Sequence, residues 1–276
     1  MIEKTNGALE RLKAIKAMAL DMDGTTYLGD RLLGGASELF DLLASKGKPC
    51  VFLTNNSSRS RREYEEKLNR LGLRVGPGSV MTSGEATIRL LQRKYPKARV
   101  FLVATPSFEA EVRQAGIEVL ALEAAAFADV AVLAYDTGLT FQKLAALCTL
   151  VRSSVPFIAT HPDINCPVDG GFLPDVGAFL ACIRASTGRS PDLIVGKPST
   201  LMVEALCEKL GLPASQIAYI GDRLYTDVAM ARASGMLSVL VLSGETRIED
   251  LESSEIQPDL VATGLDEIAQ AIATYP

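Results

Sequence analysis

Short apolar runs of strand length alternate with capped amphipathic stretches along this whole chain, and that alternation restricts the fold more than any other feature. Residues 17–21, 49–54 and 80–81 read as strands. Between them, Ser37 is placed to cap a helix that shows Leu39, Phe40, Leu42 and Leu43 on one face and ends near Gly47. Ser60-Arg61-Arg62-Glu63 has the form of a capping box, starting a helix that presents Tyr64, Leu68 and Leu71 and stops at Gly72. Thr82-Ser83-Gly84-Glu85 has the same form. Strands joined through helices pair in parallel and are covered on both faces, which predicts an α/β fold with doubly wound parallel sheets and ligands at the carboxyl ends of the strands.

The alternation falls into blocks. Residues 99–104, 117–120, 130–135 and 155–160 read as strands, with helices at 106–115, 141–152 and 176–186. Strands return at 192–195, 217–221, 238–242 and 260–262, with intervening helices that stop at Gly211 and Gly235. The middle block is too long for a loop and predicts an inserted α/β domain. The expected division is 1–83 and 189–276 for a core, with 84–188 inserted.

Composition closes several routes. With 276 residues, 48% of them hydrophobic, the chain can bury a large core. Its net charge of −5 carries no Lys/Arg block, so neither nucleic acid nor an anionic membrane surface is an expected partner. Apolar runs such as 237–242 fall far short of the ~20 residues of a membrane helix. Residues 1–18 hold six charged side chains and no apolar signal core, so the expected location is the cytoplasm. The five cysteines form neither a zinc spacing nor an evident disulfide frame, and one histidine, His161, leaves most zinc and serine or cysteine hydrolase sites without their parts.

Four polar clusters each follow an apolar strand of the outer blocks. They are Asp21-Met22-Asp23-Gly24-Thr25, Thr54-Asn55-Asn56-Ser57, Gly196-Lys197-Pro198, and Gly221-Asp222 with Asp227 in the next helical turn. Any one of them is ordinary turn or capping chemistry. Together they place Asp21, Asp23, Asp222 and Asp227 in one crevice, where two charges about 4 Å apart repel by ~4 kcal/mol at an effective dielectric near 20. Lys197 is too little compensation, so a divalent cation with oxygen ligands is implied, and Mg²⁺ suits a site that meets a phosphate. Thr54, Asn55, Lys197 and the amides after Asp21 then serve an anion, which is the equipment for phosphoryl transfer. No Walker-type Gly-Lys-Ser/Thr loop is present, so the nucleophile is a carboxylate. Asp21 fits that role, and Asp23 fits the acid that protonates a leaving alkoxide and then activates water.

These residues resemble the haloacid dehalogenase superfamily. Asp21-Met22-Asp23-Gly24-Thr25, Thr54-Asn55-Asn56, Lys197 and Gly221-Asp222 with Asp227 look like its four motifs, in order, and the large insertion with Thr160-His161-Pro162-Asp163 near its end resembles the NagD-like, 4-nitrophenylphosphatase branch. The resemblance implies a Rossmann-like core, a mobile cap, and Mg²⁺-dependent hydrolysis of phosphate monoesters. It also implies metal ligation by Asp21, the Asp23 backbone carbonyl and Asp222, with Asp227 in the outer shell, and phosphate binding by Thr54, Asn55, Asn56 and Lys197. Asp23 favours a phosphatase over a dehalogenase, since halide leaves without a proton. Two departures stand out. Thr26-Tyr27 replaces the apolar residue that often follows Gly-Thr, and His161 stands where Asn is common. His161 and Asp163, in a Pro/Gly-rich loop over residues 160–175, are candidates for contact with the substrate's leaving group.

The expected substrate is a small phosphorylated metabolite such as a sugar or short-acid phosphate. A specialised phosphoglycolate, nucleoside monophosphate or pyridoxal phosphate phosphatase stays open, as does a non-catalytic, phospho-accepting regulatory module. Some caps of this kind pair, so a homodimer is also allowed.

Overall fold

The structure, a computed structural model, describes residues 2–168 and 170–273. The chain divides into two compact units. The first takes in the chain to Thr54, Tyr64–Met81, and the chain from Val203 onward; the second holds Asn55–Glu63 and Thr82–Met202.

A seven-stranded sheet forms the first unit, in the order Ile2–Glu3, Leu260–Ala262, Leu237–Val241, Ile217–Gly221, Ala17–Asp21, Cys50–Thr54, Val80–Thr82. Pairing is parallel from Leu260–Ala262 across to Cys50–Thr54, and the short Ile2–Glu3 strand runs antiparallel to its neighbour. The central strands are buried on both faces, which is why they read as continuous apolar runs and not as alternation. Leu20, Phe52, Ile220 and Val239 meet Leu39 and Leu43 of the Ala36–Ser45 helix and Ile268 of the Leu265–Ala273 helix in one core. Each such side chain contributes about 1.5–3 kcal/mol of burial.

Strand order is what creates a site. Ala17–Asp21 and Ile217–Gly221 are neighbours, yet later strands extend the sheet on one side and Cys50–Thr54 and Val80–Thr82 on the other. Crossovers therefore diverge at the carboxyl ends of the central pair and leave a crevice there. Ile220 is in register with Leu20 and Leu53 with Asp21, so Asp21, Asp222 and Thr54 leave the sheet at nearly the same level.

One helix start differs from expectation. The Ala36–Ser45 helix is capped by Gly35, not by Ser37. Gly35 has φ +81°, and a Cβ there would sit 2.1 Å from the Asp266 backbone nitrogen, so close packing against the Leu265–Ala273 helix excludes a side chain.

The second unit has its own parallel sheet, in the order Leu193–Ile194, Phe157–Ala159, Val130–Leu133, Arg99–Val103, Glu118–Val119. An antiparallel hairpin, Asn165–Val168 with Gly171–Pro174, occupies the stretch read as a loop. Phe101, Leu133, Leu147, Val151, Phe157 and Ile183 form a separate core. The Ser60–Glu63 capping box is present, with Ser60 N donating to Glu63 Oε2 (2.7 Å) and Glu63 N to Ser60 Oγ (3.3 Å). At Thr82 the hydroxyl Oγ1 accepts from Glu85 N, and the Glu85 carboxylate accepts from Arg89. Leu193–Ile194 pairs with Phe157–Ala159 as the edge of this second sheet, and the first unit resumes at Val203.

Candidate active site

After Asp21 the backbone closes on itself over residues 22–27. Thr26 N and Tyr27 N both donate to the Met22 carbonyl (2.9 and 3.0 Å), Gly24 N donates to Tyr27 O (2.8 Å), and Thr26 Oγ1 donates to the Asp21 carbonyl (2.7 Å). This knot buries Asp21 while leaving Asp23 exposed. Tyr27, fully buried, donates its hydroxyl to Asp23 Oδ2 at 3.1 Å. Burial, and after it the negative charge of Asp23, holds the Tyr27 phenol well above the usual tyrosine range.

Asp222 is fixed from several directions. Its Oδ1 accepts from Thr25 Oγ1 (3.2 Å), its Oδ2 from Glu245 N (2.7 Å), and its carbonyl from Thr246 N (3.2 Å). Glycines flank the carboxylate: a Cβ on Gly24 would lie 2.6 Å from Asp222 Oδ2, and one on Gly244 only 2.0 Å. Ser243 Oγ bonds the Gly24 carbonyl (2.9 Å), tying the two loops together. Glu245 is anchored in turn by Tyr225 Oη (2.8 Å) and by the Arg223 guanidinium, whose Nε lies 2.9 Å from Glu245 Oε2. Burial opposes the Arg223 charge, but the carboxylates of Glu245 and Asp21 outweigh it and hold its pKa above the ordinary arginine value.

Asp227 sits in a single π-helical turn, Leu224–Val228, a local widening that re-aims one side chain. Its oxygens accept from Tyr219 Oη and Arg223 N, both at 3.1 Å.

The structure brings Asp21, Asp222 and Asp227 together: each offers a carboxylate oxygen, and these lie within 4.8 Å of one another, with the residues 8%, 2% and 1% exposed. Three buried carboxylates this close repel one another, and positive charge beside them offsets that cost. Arg223 faces Glu245, Asp21 and Asp222 alike, and the all-oxygen donor set of the cluster fits a hard divalent cation. Thr54, 5% exposed, ends the Cys50–Thr54 strand in the same unit.

The other sequence candidates lie in the second unit. Asn55 spends its side chain on the chain itself: Nδ2 donates to Lys197 O (3.0 Å) and to the Asp163 carboxylate (3.1 Å to Oδ1), while Oδ1 accepts from Lys197 N (2.8 Å). It therefore clamps both backbone polar groups of Lys197, which is 4% exposed and precedes Pro198 through a cis peptide. Asn56 forms a side-chain turn, accepting from Ser58 N (2.9 Å) and Oγ (2.7 Å). His161 is wholly enclosed, with Nδ1 3.0 Å from Thr160 Oγ1 and Nε2 2.9 Å from Asp175 Oδ1, which also accepts from Val176 N and caps a helix. It is a strut of the 160–175 stretch and offers no surface of its own to a ligand. Asp163 is half-buried against Asn55.

Thr25, Tyr27, Tyr219, Arg223 and the 243–246 loop were not among the sequence candidates. The loop was findable. Ser243-Gly244-Glu245-Thr246 follows the Leu237–Val241 strand in the way the other polar clusters follow theirs.

Comparison with known proteins decides the lineage. Residues 18–118 match the model of the haloacid dehalogenase-like hydrolases and residues 194–268 a second, HAD-hydrolase-like model. The acid sugar phosphatase of Staphylococcus aureus strain MRSA252 is 33% identical over 93% of this chain and 97% of its own length. The chain belongs to the haloacid dehalogenase-like hydrolases. Among solved structures, the 4-nitrophenylphosphatase of Thermotoga maritima superposes with a TM-score of 0.90 at 45% identity, covering 95% of this hydrolase and 99% of that chain. NagD from E. coli K-12 does so at 0.85 and 27%, over 92% and 98%. This hydrolase thus lies in the NagD-like branch, with a Rossmann-like parallel-sheet core and an inserted α/β domain. Among its described residues no helix is long and apolar enough to cross a membrane.

Proposed function

We propose that this chain is a Mg²⁺-dependent phosphatase of the cytoplasm that hydrolyses small phosphate monoesters, sugar or short-acid phosphates, through an aspartyl-phosphate on Asp21. The observation that carries the reading is the buried Asp21, Asp222 and Asp227 cluster with Asp23 exposed two residues beyond the first of them. Names borne by the relatives, acid sugar phosphatase and 4-nitrophenylphosphatase, support the same reaction class. Asp21, the Asp23 carbonyl and Asp222 would hold the cation. Asp227, which accepts from Tyr219 and Arg223, would support them from outside. When bound, Mg²⁺ supplies positive charge against the phosphate oxygens and the carboxylates.

The chain's own groups do the rest. Asp21 attacks phosphorus, the ester P–O bond breaks, and its electron pair leaves on the alkoxide oxygen, which takes a proton from Asp23. Water then gives a proton to Asp23 as its oxygen bonds phosphorus, and the Asp21–phosphorus bond breaks to return the carboxylate and release inorganic phosphate. Phosphate recognition falls in this reading to Thr54, Asn55, Asn56 and Lys197, which the resemblance of their motifs supports. Since the Asn55 side chain is committed to Lys197, its part in recognition falls to its backbone N–H. The inserted unit acts in this reading as the cap. His161 and Asp163 act on specificity through the loop they brace.

The test is release of inorganic phosphate from 4-nitrophenyl phosphate with and without Mg²⁺, followed by a panel of natural esters. Turnover that chelation abolishes supports the reading. A stable phosphoprotein without turnover points instead to a phospho-accepting switch, and no reaction with any ester rejects it.

A further inference from the structure

Thr26-Tyr27, the departure from the family pattern, bonds both catalytic aspartates, the first at its backbone carbonyl and the second at its carboxylate. Thr26 Oγ1 holds the Asp21 carbonyl, and Tyr27 Oη holds the Asp23 carboxylate. We propose that Tyr27 is a positioning residue for Asp23, setting the rotation of that carboxylate so that the proton for the leaving group travels on the oxygen the phenol does not hold. The inference rests on the phosphatase reading.

The two partners are unequal in freedom. Asp23 is exposed, so holding its carboxylate in one orientation costs side-chain entropy that its hydrogen bonds must offset. Tyr27 is 0% exposed, its backbone bridges that of Asp23, its carbonyl accepts from Gly24 N, and the Lys67 ammonium lies 3.9 Å from its ring centroid. A cation at that distance both fixes the ring and sharpens the hydroxyl as a donor. The buried phenol is the fixed member of the pair, and the exposed carboxylate takes its hydrogen bond from it. The phenol donates to one oxygen whether or not the other carries a proton, so the contact persists through both half-reactions. A buried tyrosine needs some acceptor. If that were the whole purpose of the bond, losing it would weaken the fold and lower turnover of every ester alike.

Leaving groups separate the two roles, because 4-nitrophenolate departs without a proton and an alkoxide does not. The measurement is kcat/KM for glycerol phosphate and for 4-nitrophenyl phosphate on the same preparation, so that the folded fraction cancels from their ratio. In Tyr27→Phe the alkyl-to-aryl ratio falls about tenfold. Asp23→Asn moves it further in the same direction, and Tyr27→Phe adds nothing on the Asp23→Asn background. Lys67→Met, which keeps the phenol and loosens its ring, shifts the ratio the same way by less. An unchanged ratio in Tyr27→Phe, or a full additional loss in the double variant, overturns the proposal. A wild-type protein that releases no phosphate from any ester brings down the phosphatase reading itself, and this inference with it.

Discussion

Gly244→Ala is the sharpest single probe of the acidic cluster. The added Cβ would lie 2.0 Å from Asp222 Oδ2, 2.5 Å from Cγ and 2.7 Å from Cβ, where ordinary contact begins near ~3.4 Å. Something must move by more than about 1 Å, and Asp222 has little room, since Gly24 lies against the same Oδ2. Displacing that oxygen breaks its bond from Glu245 N, a hydrogen bond to a charged group worth about 1.5–3 kcal/mol. At about 1.4 kcal/mol per factor of ten, Mg²⁺ binding should weaken ~10- to 100-fold, the range seen when groups that orient metal ligands are lost. Calorimetric titration of Mg²⁺ into protein stripped of metal reads this directly. Gly76→Ala, where an added Cβ meets nothing within 4 Å, is the control. Wild-type Mg²⁺ affinity in Gly244→Ala would show that the placement of Asp222 does not govern the metal site.

Other outcomes follow from the same geometry. Asn55→Ala removes both contacts to the Lys197 backbone and leaves buried polar groups unmatched, so urea unfolding should show a loss of ~2–3 kcal/mol, with a higher KM for phosphate esters. Asp259 is 1% exposed; burial alone would raise its carboxyl, but Ser238 N and Oγ and the Arg232 guanidinium pull it below the ordinary aspartate value. A depressed folded pKa means this stabilisation is complete above the unfolded value of about 3.9 and is lost as pH falls through the folded one. Asp259→Asn should therefore be less stable at neutral pH and lose less on acidification below pH ~4, as urea midpoints at the two pH values would show. His161→Ala opens the buried Thr160–His161–Asp175 chain, and the thermal midpoint should fall, with larger activity losses on bulky natural esters than on 4-nitrophenyl phosphate.

What the sequence disclosed followed physical periodicity. The central strands could be read because parallel strands buried on both faces are continuously apolar, and Asp21, Asp222 and Asp227 because each follows such a strand or its next turn. Hidden from it was whatever depends on closeness across the sequence. Gly35 replaces Ser37 as a cap only because a distant helix presses on it, and Gly244 matters only because Asp222 lies against it. Asn55 carried the right motif, but sequence spacing cannot reveal that its amide is consumed by Lys197. His161 illustrates the converse. A lone histidine in a Pro/Gly-rich stretch suggested contact with the substrate's leaving group, whereas hydrogen bonds to Thr160 and Asp175 hold it fully inside.

The central claim is that the buried Asp21 carboxylate itself receives the phosphoryl group. Acid quenching during turnover, followed by borohydride reduction and peptide mass spectrometry, tests it most directly, because reduction of an aspartyl phosphate leaves homoserine at that one position. The account predicts homoserine at position 21 in the wild type, and in Asp21→Asn a folded protein with neither homoserine nor phosphate release. Full turnover by Asp21→Asn, or homoserine at another aspartate, would contradict it.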